Sequence, residues 1–336
     1  MAIKINSHYK IEQKNKSKRI FIAGHQGMVG SAIYKSLKKL GFSNLIVSDR
    51  STLNLTNQQE VLNFFSKEAI DQIYLAAAKV GGINANNSFP ADFIFQNTMI
   101  QANIISAAHQ FSVERLLFLG SSCIYPVNIS QPIQESDLLS GSLEPTNQAY
   151  AIAKISGIEM CRGYNQQYGT DFRCIMPTNL YGNNDNFHSS NSHVIPALIQ
   201  KFYQAKKENL KNVEVWGTGS PKREFLHVDD LADASIFVMN LEKDIFLDSL
   251  GNSFPHINIG SGDEISIKRL VEILSNISGY RGEIIFNTDM PDGAKRKLLD
   301  SSIIKKLGWK PSISLEDGLQ RTYKWFLDNQ SSFRNN

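Results

Sequence analysis

Residues 20–30 read IFIAGHQGMVG, four apolar residues followed by a turn that contains three glycines. The apolar run predicts a buried strand, and the residues from Met28 to Leu40 predict a helix. A helix that begins at such a turn offers free backbone N–H groups and a positive dipole end to a pyrophosphate. The spacing is GxxGxxG rather than GxGxxG, but its place at the first strand–helix junction indicates a dinucleotide-binding turn. Its predicted cofactor contacts are Gly24, His25, Gln26, Gly27, Met28, Val29 and Gly30.

Short apolar runs alternate with helical periods beyond this turn, which indicates a parallel sheet covered on both faces. The predicted strands are 20–23, 45–47, 72–77, 115–119 and 172–176, with helices over 28–40, 58–66, 92–110 and 149–168. After Pro177 the connections become longer and more polar, with helices at 193–208 and 266–278 and strands at 213–216, 257–259 and 283–286. We therefore expect an α/β fold, with a doubly wound parallel-sheet Rossmann domain and a smaller α+β substrate lobe.

The expected organisation has three parts. Residues 1–18 form a disordered, solvated lead-in that carries several lysines, and residues 19–182 form the dinucleotide-binding Rossmann domain. Residues 183–336 form mainly the substrate-binding lobe, interleaved with elements that return to the first sheet.

The composition is that of a soluble globular enzyme, with 42% hydrophobic and 20% charged residues. A net charge of +3 with interspersed signs argues against nucleic acid as a partner. No segment approaches the ~20 apolar residues of a membrane span. Three cysteines without paired spacing indicate free thiols in the cytoplasm. The seven histidines show no metal-ligand spacing, so no metal is expected.

A second motif, Ser121-Ser-Cys-Ile-Tyr-Pro126, is followed by Tyr150-Ala-Ile-Ala-Lys154. The Tyr and Lys are four residues apart on one helix face, where the ammonium is expected to lower the pKa of the phenol. Strand alternation would place Ser121 and Cys123 on one side and turn Ser122 away. A hydroxyl with a Tyr/Lys pair suits hydride transfer to a carbonyl. The added thiol suggests proton transfer at the neighbouring carbon.

These residues resemble an extended short-chain dehydrogenase/reductase, and seven stretches are similar to the GDP-L-fucose synthase family. The stretches are 23–32, 75–82, 120–126, 176–182, 185–188, 192–197 and 223–230. The resemblance runs from about Arg19 to Phe333. It implies conversion of GDP-4-keto-6-deoxy-D-mannose to GDP-L-fucose, by epimerisation at C3 and C5 and reduction of the C4 ketone with NADPH. It also implies a homodimer.

The resemblance implies particular roles for the site residues. Cys123 would be the base and His193 the acid of the epimerisation, although His193 alone also reads as a helix cap or packed surface histidine. Ser121 and Tyr150 would bond the carbonyl oxygen, and Lys154 would hold the nicotinamide ribose. Further implied cofactor contacts are Arg50, Leu119, Gly120, Ser121, Ser122, Pro177, Thr178, Asn179, Leu180 and His193. The implied substrate-binding residues are Lys201, Trp216, Arg223, Asp292 and Lys297.

Two positions depart from the family pattern. Gln26 stands where family members often carry an arginine that suits the 2′-phosphate of NADPH, and Lys201 stands where bacterial members commonly have arginine. Arg50 remains available for the phosphate, whereas Asp49 is the residue type that favours the free ribose of NADH. We expect NADPH as the cofactor, with NADH the second choice.

Two alternatives remain from the sequence. A related GDP-4-keto sugar, such as a 3,6-dideoxyhexose or a 6-deoxyheptose, would be reduced at C4 with or without epimerisation. A non-catalytic dinucleotide-sensing protein on the same fold is the alternative of another class. A dehydratase is disfavoured, because Ser122 and Cys123 stand where it needs a carboxylate pair.

Overall fold

A parallel sheet forms the centre of the chain, as the alternating pattern predicted. The structure is a computed structural model that describes residues 13–187, 192–251, 256–290 and 292–330. Within these residues the sheet has six strands, all paired in parallel. In spatial order they are β2 (Leu45–Ile46), β1 (Ile20–Ala23), β3 (Gln72–Leu75), β4 (Arg115–Leu119), β5 (Phe172–Pro177) and β9 (His256–Ile259).

Helices cover both faces of this sheet because each strand buries both of its faces. In β1, Phe21 packs into one core and Ile20 and Ile22 into the other. One core joins the sheet to α3 (Gln58–Lys67), α5 (Pro90–Gln110) and α6 (Gln148–Tyr168), with α4 (Ile83–Ser88) preceding α5. The other joins it to α2 (Met28–Lys39), α8 (Val228–Asn240), α9 (Lys243–Leu250) and α11 (Ser302–Lys306).

A smaller lobe with its own core lies beyond β5 and contains helices and short strands. Its helices are α7 (Val194–Lys207), α10 (Ile267–Ser278) and α12 (Leu315–Asp328), which pack through side chains such as Phe202, Leu270 and Phe326. One pair of strands is β7 (Asn212–Trp216) beside β11 (Glu283–Asn287). In the other group β8 (Lys222–His227) pairs with β6 (Asn179–Tyr181), β10 (Glu264–Ser266) and β12 (Arg296–Lys297).

The predicted fold class is confirmed, but one helix starts earlier than predicted and several elements were missed. The helix predicted from residue 92 begins at Pro90, whose fixed φ and missing N–H suit the first position of a helix. The longer elements that were missed are β8, α8, α9 and α12. The shorter ones are α4, α11, β6, β10 and β12. Residues 13–16 of the lead-in, predicted to be disordered, form the one-turn helix α1 (Gln13–Lys16). Residues 17–18 form a turn after it, and residues 1–12 of that prediction lie outside the described residues.

The glycine turn depends on a close approach between its two ends. A Cβ added to Gly30 would lie 2.2 Å from the carbonyl oxygen of Gly24, and Gly24 itself has a φ of +88°. By contrast, a Cβ on Gly163, an exposed residue within α6, meets nothing within 4 Å.

We expect Gly30→Ala to lower the free energy of unfolding by about 1–3 kcal/mol, because the added methyl forces the turn away from α2. The matched variant Gly163→Ala should raise it by up to about 1 kcal/mol through helix propensity. Urea unfolding followed by circular dichroism measures both. A Gly30→Ala protein as stable as the wild type would show that the turn relaxes without loss.

Candidate active site

Ser121 and Cys123 lie together just beyond the end of β4. The strand ends at Leu119, and Ser122–Ile124 form a one-turn 3₁₀ helix with Ser121 at its N-cap. The Ser121 Oγ accepts a hydrogen bond from the Cys123 backbone N–H at 3.4 Å. The prediction from strand alternation is therefore wrong in its geometry, because residues 122–124 are not extended. A helical turn, rather than a continued strand, brings the hydroxyl and the thiol together.

Lys154 projects from α6 into the same region and is buried. Its ammonium donates a hydrogen bond to the Leu119 carbonyl oxygen at 2.8 Å, and its nitrogen lies 5.8 Å from the centre of the Tyr150 ring. Burial lowers the pKa of Lys154 to about 8, while Cys123 and Cys174 act in the opposite direction.

Tyr150 is held as a protonated phenol. Burial raises its pKa far above the ordinary range, and the nearby Cys123 raises it further. The expectation that Lys154 lowers this pKa is wrong here, because desolvation dominates and the ammonium bonds the backbone carbonyl instead. A phenol with so high a pKa can donate a proton at neutral pH but does not act as a base there. Its ring packs edge-on against Phe93, with the ring centres 6.1 Å apart.

The Cys123 thiol is surrounded by protein, and this desolvation raises its pKa. Three groups oppose the rise: the charge of Lys297, then the hydrogen bond with Ser121, then the charge of Lys154. The influence is mutual, because Cys123 also raises the pKa of Lys297 against the lowering effect of burial. A thiol whose pKa is lowered by two nearby amines can form a thiolate when a proton acceptor is needed.

His193 lies at the N-cap of α7, but its side chain makes no capping hydrogen bond. The ring is solvent-accessible, and desolvation by the surrounding protein lowers its pKa. No hydrogen bond or ion pair joins it to Cys123 or Tyr150 among the described residues. Nearby in sequence, burial raises the pKa of Asp185 to about 7. Asp185 begins the stretch 185–188 that resembles the family, and the last residue of that stretch, 188, lies outside the described residues.

The predicted cofactor contacts lie at the carboxyl ends of neighbouring parallel strands. Gly27 is the N-cap of α2 and has no side-chain cap, so the first N–H groups of that helix suit an anion. Leu119 and Gly120 end β4, and residues 177–180 follow β5. Strand order reverses beside β1, the point where open α/β sheets bind ligands. The donors present thus fit a dinucleotide.

Four of the predicted substrate residues lie on β7, β8, β12 and the loop before β12, and the fifth, Lys201, lies on α7 beside β7. The indole of Trp216, on β7, is 64% exposed. The Lys201 ammonium donates a hydrogen bond to the carbonyl oxygen of Glu214, also on β7, at 2.7 Å. Arg223 pairs in register with Lys297 and is electrostatically coupled to Asp292. Asp292 in turn accepts hydrogen bonds from the backbone and hydroxyl of Thr218 at 2.9 and 2.6 Å. An exposed flat indole beside clustered cations suits a nucleotide diphosphate.

Glu224, which the sequence analysis missed, joins the cofactor and substrate regions. Its carboxylate accepts backbone hydrogen bonds from Gly262 at 2.7 Å and Leu299 at 3.1 Å. Its carbonyl oxygen accepts from the side chains of Asn179 at 2.9 Å and Thr178 at 3.4 Å. The side chain is fully buried, and burial raises its pKa. In the sequence, only its position next to Arg223 could have indicated that Glu224 belongs to the site.

A second buried network fixes the segment that follows Cys123. The Tyr125 hydroxyl donates to the Asn258 Oδ1 at 2.6 Å and lies 3.0 Å from the His256 Nε2. The backbone N–H of Asn258 donates to the Glu135 carboxylate at 2.9 Å. These bonds tie the segment after Cys123 to β9, more than 100 residues away, so no local pattern predicts them.

The chain matches the model of the NAD dependent epimerase/dehydratase family over residues 20–260 and belongs to that family. Within the family it is 56% identical over 316 residues to the GDP-L-fucose synthase of Escherichia coli, covering 94% of this chain and 98% of the relative. It is 53% identical to GDP-L-fucose synthase 1 of Arabidopsis thaliana, over 94% and 95% of the two chains.

Among solved structures, the GDP-mannoheptose C4 reductase of Campylobacter jejuni with NADP bound is 39% identical, with a TM-score of 0.85. The match covers 95% of this chain and all of that one. In the described part of the chain, no cluster of three or more His, Cys, Asp or Glu side chains suits a metal. None of the described helices is long and apolar enough to cross a membrane.

The neighbouring charge of Lys297 gives a prediction for Cys123. Because a nearby cation favours the thiolate, Lys297→Met should move the pH dependence of Cys123 alkylation to higher pH. The rate at which iodoacetamide alkylates Cys123 at pH 8 should fall about tenfold. Mass spectrometry after timed quenching measures the rate at this cysteine separately from the buried Cys161 and Cys174.

The matched control is Lys295→Met, which removes an exposed amine two residues away. If both variants alkylate at the wild-type rate, Lys297 does not influence the thiol.

Proposed function

We propose that this protein is a bifunctional epimerase-reductase that converts GDP-4-keto-6-deoxy-D-mannose to GDP-L-fucose. One observation carries the proposal: Ser121, Cys123 and the Tyr150/Lys154 pair converge at the carboxyl end of β4 beside a dinucleotide turn. A plain reductase has no use for a thiol placed among these hydroxyls. The 56% identity to the Escherichia coli GDP-L-fucose synthase supports the same substrate.

In the epimerisation, a C4 ketone acidifies the hydrogens on C3 and C5. The Cys123 thiolate removes such a proton, and the electron pair moves onto the ketone oxygen to give an enolate. Hydroxyls of Ser121 and Tyr150 stabilise the oxygen by donating hydrogen bonds. A proton then returns to the opposite face from His193. The negative charge of the bound substrate favours the imidazolium and so counters the lowered pKa of His193.

In the reduction, the nicotinamide supplies a hydride to C4 when the cofactor is bound. Tyr150 gives its proton to the developing alkoxide, a role that suits a phenol kept protonated by burial. The Lys154 ammonium, anchored on the Leu119 carbonyl, holds the ribose and places positive charge near the phenolate that forms. Ser121 and Tyr150 therefore act on the same atom, the oxygen at C4, in both the epimerisation and the reduction.

The cofactor, partner and location follow as parts of the proposal. NADPH is preferred, because Arg50 is exposed beside the turn and carries a positive charge for the 2′-phosphate. The substrate nucleotide is held by Lys201, Trp216, Arg223, Asp292 and Lys297. The active form is a cytoplasmic homodimer, built on the outward faces of α5 and α6, where Phe95 is 62% and Ile152 42% exposed.

A second candidate is C4 reduction of a related GDP-4-keto sugar without epimerisation. The similarity to a GDP-mannoheptose C4 reductase at 39% identity favours it as the alternative. A non-catalytic dinucleotide-sensing role is disfavoured, because such a protein has no need for a proton donor and its lysine.

The deciding experiment incubates the full chain with GDP-4-keto-6-deoxy-D-mannose and NADPH in deuterium oxide. We expect GDP-L-fucose with deuterium at C3 and C5, because each proton removed by Cys123 is replaced from solvent. Cys123→Ser should lose at least about 100-fold in epimerisation while retaining reduction, since serine is a far weaker base. NMR of the product measures both. A deuterium-free 6-deoxy-D-sugar from the wild type would support the plain reductase instead.

Tyr150→Phe should separate the two stages. Loss of the proton donor is expected to lower NADPH oxidation by about 10²–10⁴-fold. Deuterium should still enter C3 and C5, because Cys123 and Ser121 remain. Tyr168→Phe, which removes the hydroxyl of an exposed tyrosine at the far end of the same helix, is the matched control and should change neither stage. Loss of deuterium exchange together with reduction would mean that Tyr150 is also required to form the enolate.

A further inference from the structure

The loop after β6 is tied to the helix that begins at the glycine turn. The side-chain amide of Asn184 donates a hydrogen bond to the Ser31 Oγ at 2.8 Å, across 153 positions of the sequence. Ser31 lies in the first turn of α2, where its hydroxyl donates to the Met28 carbonyl oxygen at 3.1 Å. One amide group therefore holds the end of the helix whose free N–H groups suit a pyrophosphate.

The far end of the same loop is anchored in the smaller lobe. The buried ring of Phe187 packs against Trp325 and Phe326 of α12, with ring centres 5.9 and 5.0 Å apart. Phe326 also contacts Tyr203 of α7, with 5.3 Å between the ring centres. The same helix carries Lys201, one of the predicted substrate residues. The loop thus connects the glycine turn with a helix of the proposed substrate cleft.

Polar side chains on both sides of Asn184 are not fully paired. The Oδ1 of Asn183 and the Oδ2 of Asp185 are buried and find no hydrogen-bond partner in the described part of the chain. Such unpaired oxygens are costly in free energy. Asn184 itself has a φ of +61°, a conformation that asparagine tolerates better than most residues. The position of the loop therefore depends on the contacts of Asn184 and Phe187.

We propose that Asn184 is a positioning residue through which a dinucleotide on the glycine turn raises the affinity of the smaller lobe for a guanine nucleotide. The inference rests on the proposed GDP-sugar function and deepens it. With the turn occupied, the first turn of α2 is held in one position. The Ser31 hydroxyl then fixes the loop, and Phe187 fixes the helices against which it packs. By reciprocity, the guanine nucleotide tightens dinucleotide binding by the same factor.

The test measures the dissociation constant of GDP by calorimetry on the full chain, with and without saturating NADP⁺. These two ligands do not react with each other, so binding is measured apart from catalysis. We expect GDP to bind at least about fivefold tighter to the protein loaded with NADP⁺. The reciprocal titration of NADP⁺ with and without GDP should give the same ratio.

Asn184→Gly removes the amide and leaves a residue that adopts a positive φ without strain. It should reduce the ratio to less than about twofold, because the hydrogen bond between the loop and α2 is lost. GDP binding without NADP⁺ should stay within about twofold of the wild type. Ser31→Ala removes the acceptor and should have the same effect, and the double variant should lose no more than either single variant. Ser31→Thr retains a hydroxyl and should keep the wild-type ratio.

Asn209→Gly is the matched control. Asn209 is exposed just after α7 and has a φ of +52°, so this variant also replaces a left-handed asparagine by glycine. It should keep the wild-type ratio, because it leaves the contact between Asn184 and Ser31 in place.

Three results would overturn the proposal. They are equal GDP affinity with and without NADP⁺, no measurable GDP binding in either state, and an Asn184→Gly protein with the wild-type ratio. Because no sugar and no reduced cofactor are present, the binding result is distinct from that of the deuterium experiment. The chain can perform the proposed reaction without this coupling, or couple its two nucleotides and fail the reaction.

Discussion

The buried carboxylate of Glu224 is the constraint on which the geometry of the cleft depends. One carboxyl group holds the backbone of two separate loops, and the carbonyl oxygen of the same residue holds the segment between β5 and β6. The cofactor segment and the strand that carries Arg223 thus share a single anchor. A buried carboxylate without hydrogen-bond partners is costly in free energy. The loss of either backbone donor would therefore destabilise the whole arrangement. The two lobes meet the proposed ligands in a defined arrangement as a result.

Desolvation then determines the proton chemistry of the site. It raises the pKa values of Tyr150 and Cys123 and lowers those of Lys154, Lys297 and His193. Each of these five groups is pushed toward its neutral form by burial. The negative charges of the proposed substrate and cofactor would favour the cationic forms of Lys154, Lys297 and His193, and the two ammonium groups would in turn favour the Cys123 thiolate. The proposed chemistry is in this way coupled to the presence of both ligands.

Sequence reasoning performed well where a pattern is local. The glycine turn, the strand before it and the Tyr150/Lys154 spacing follow from neighbouring residues, and the fold class built on them is confirmed. It was wrong where geometry was extrapolated from one element into the next. Strand alternation does not extend to Cys123, because the chain turns into a 3₁₀ helix after Ser121. The pKa of Tyr150 was misjudged for a related reason, since burial is not a property of sequence spacing.

The sequence by itself determined the doubly wound class and the glycine turn, and it supplied the candidate reactive side chains, because each depends on periodicity or on residue chemistry. The tertiary structure decided which distant residues support them. Glu224 and the Tyr125–Asn258–Glu135 network connect segments that are separated by many tens of residues, and the contact of Gln26 with Asp49 crosses from one strand end to the next. Such contacts arise only when the strands have assembled. Burial and charge at the site are likewise consequences of packing, which no short stretch of sequence contains.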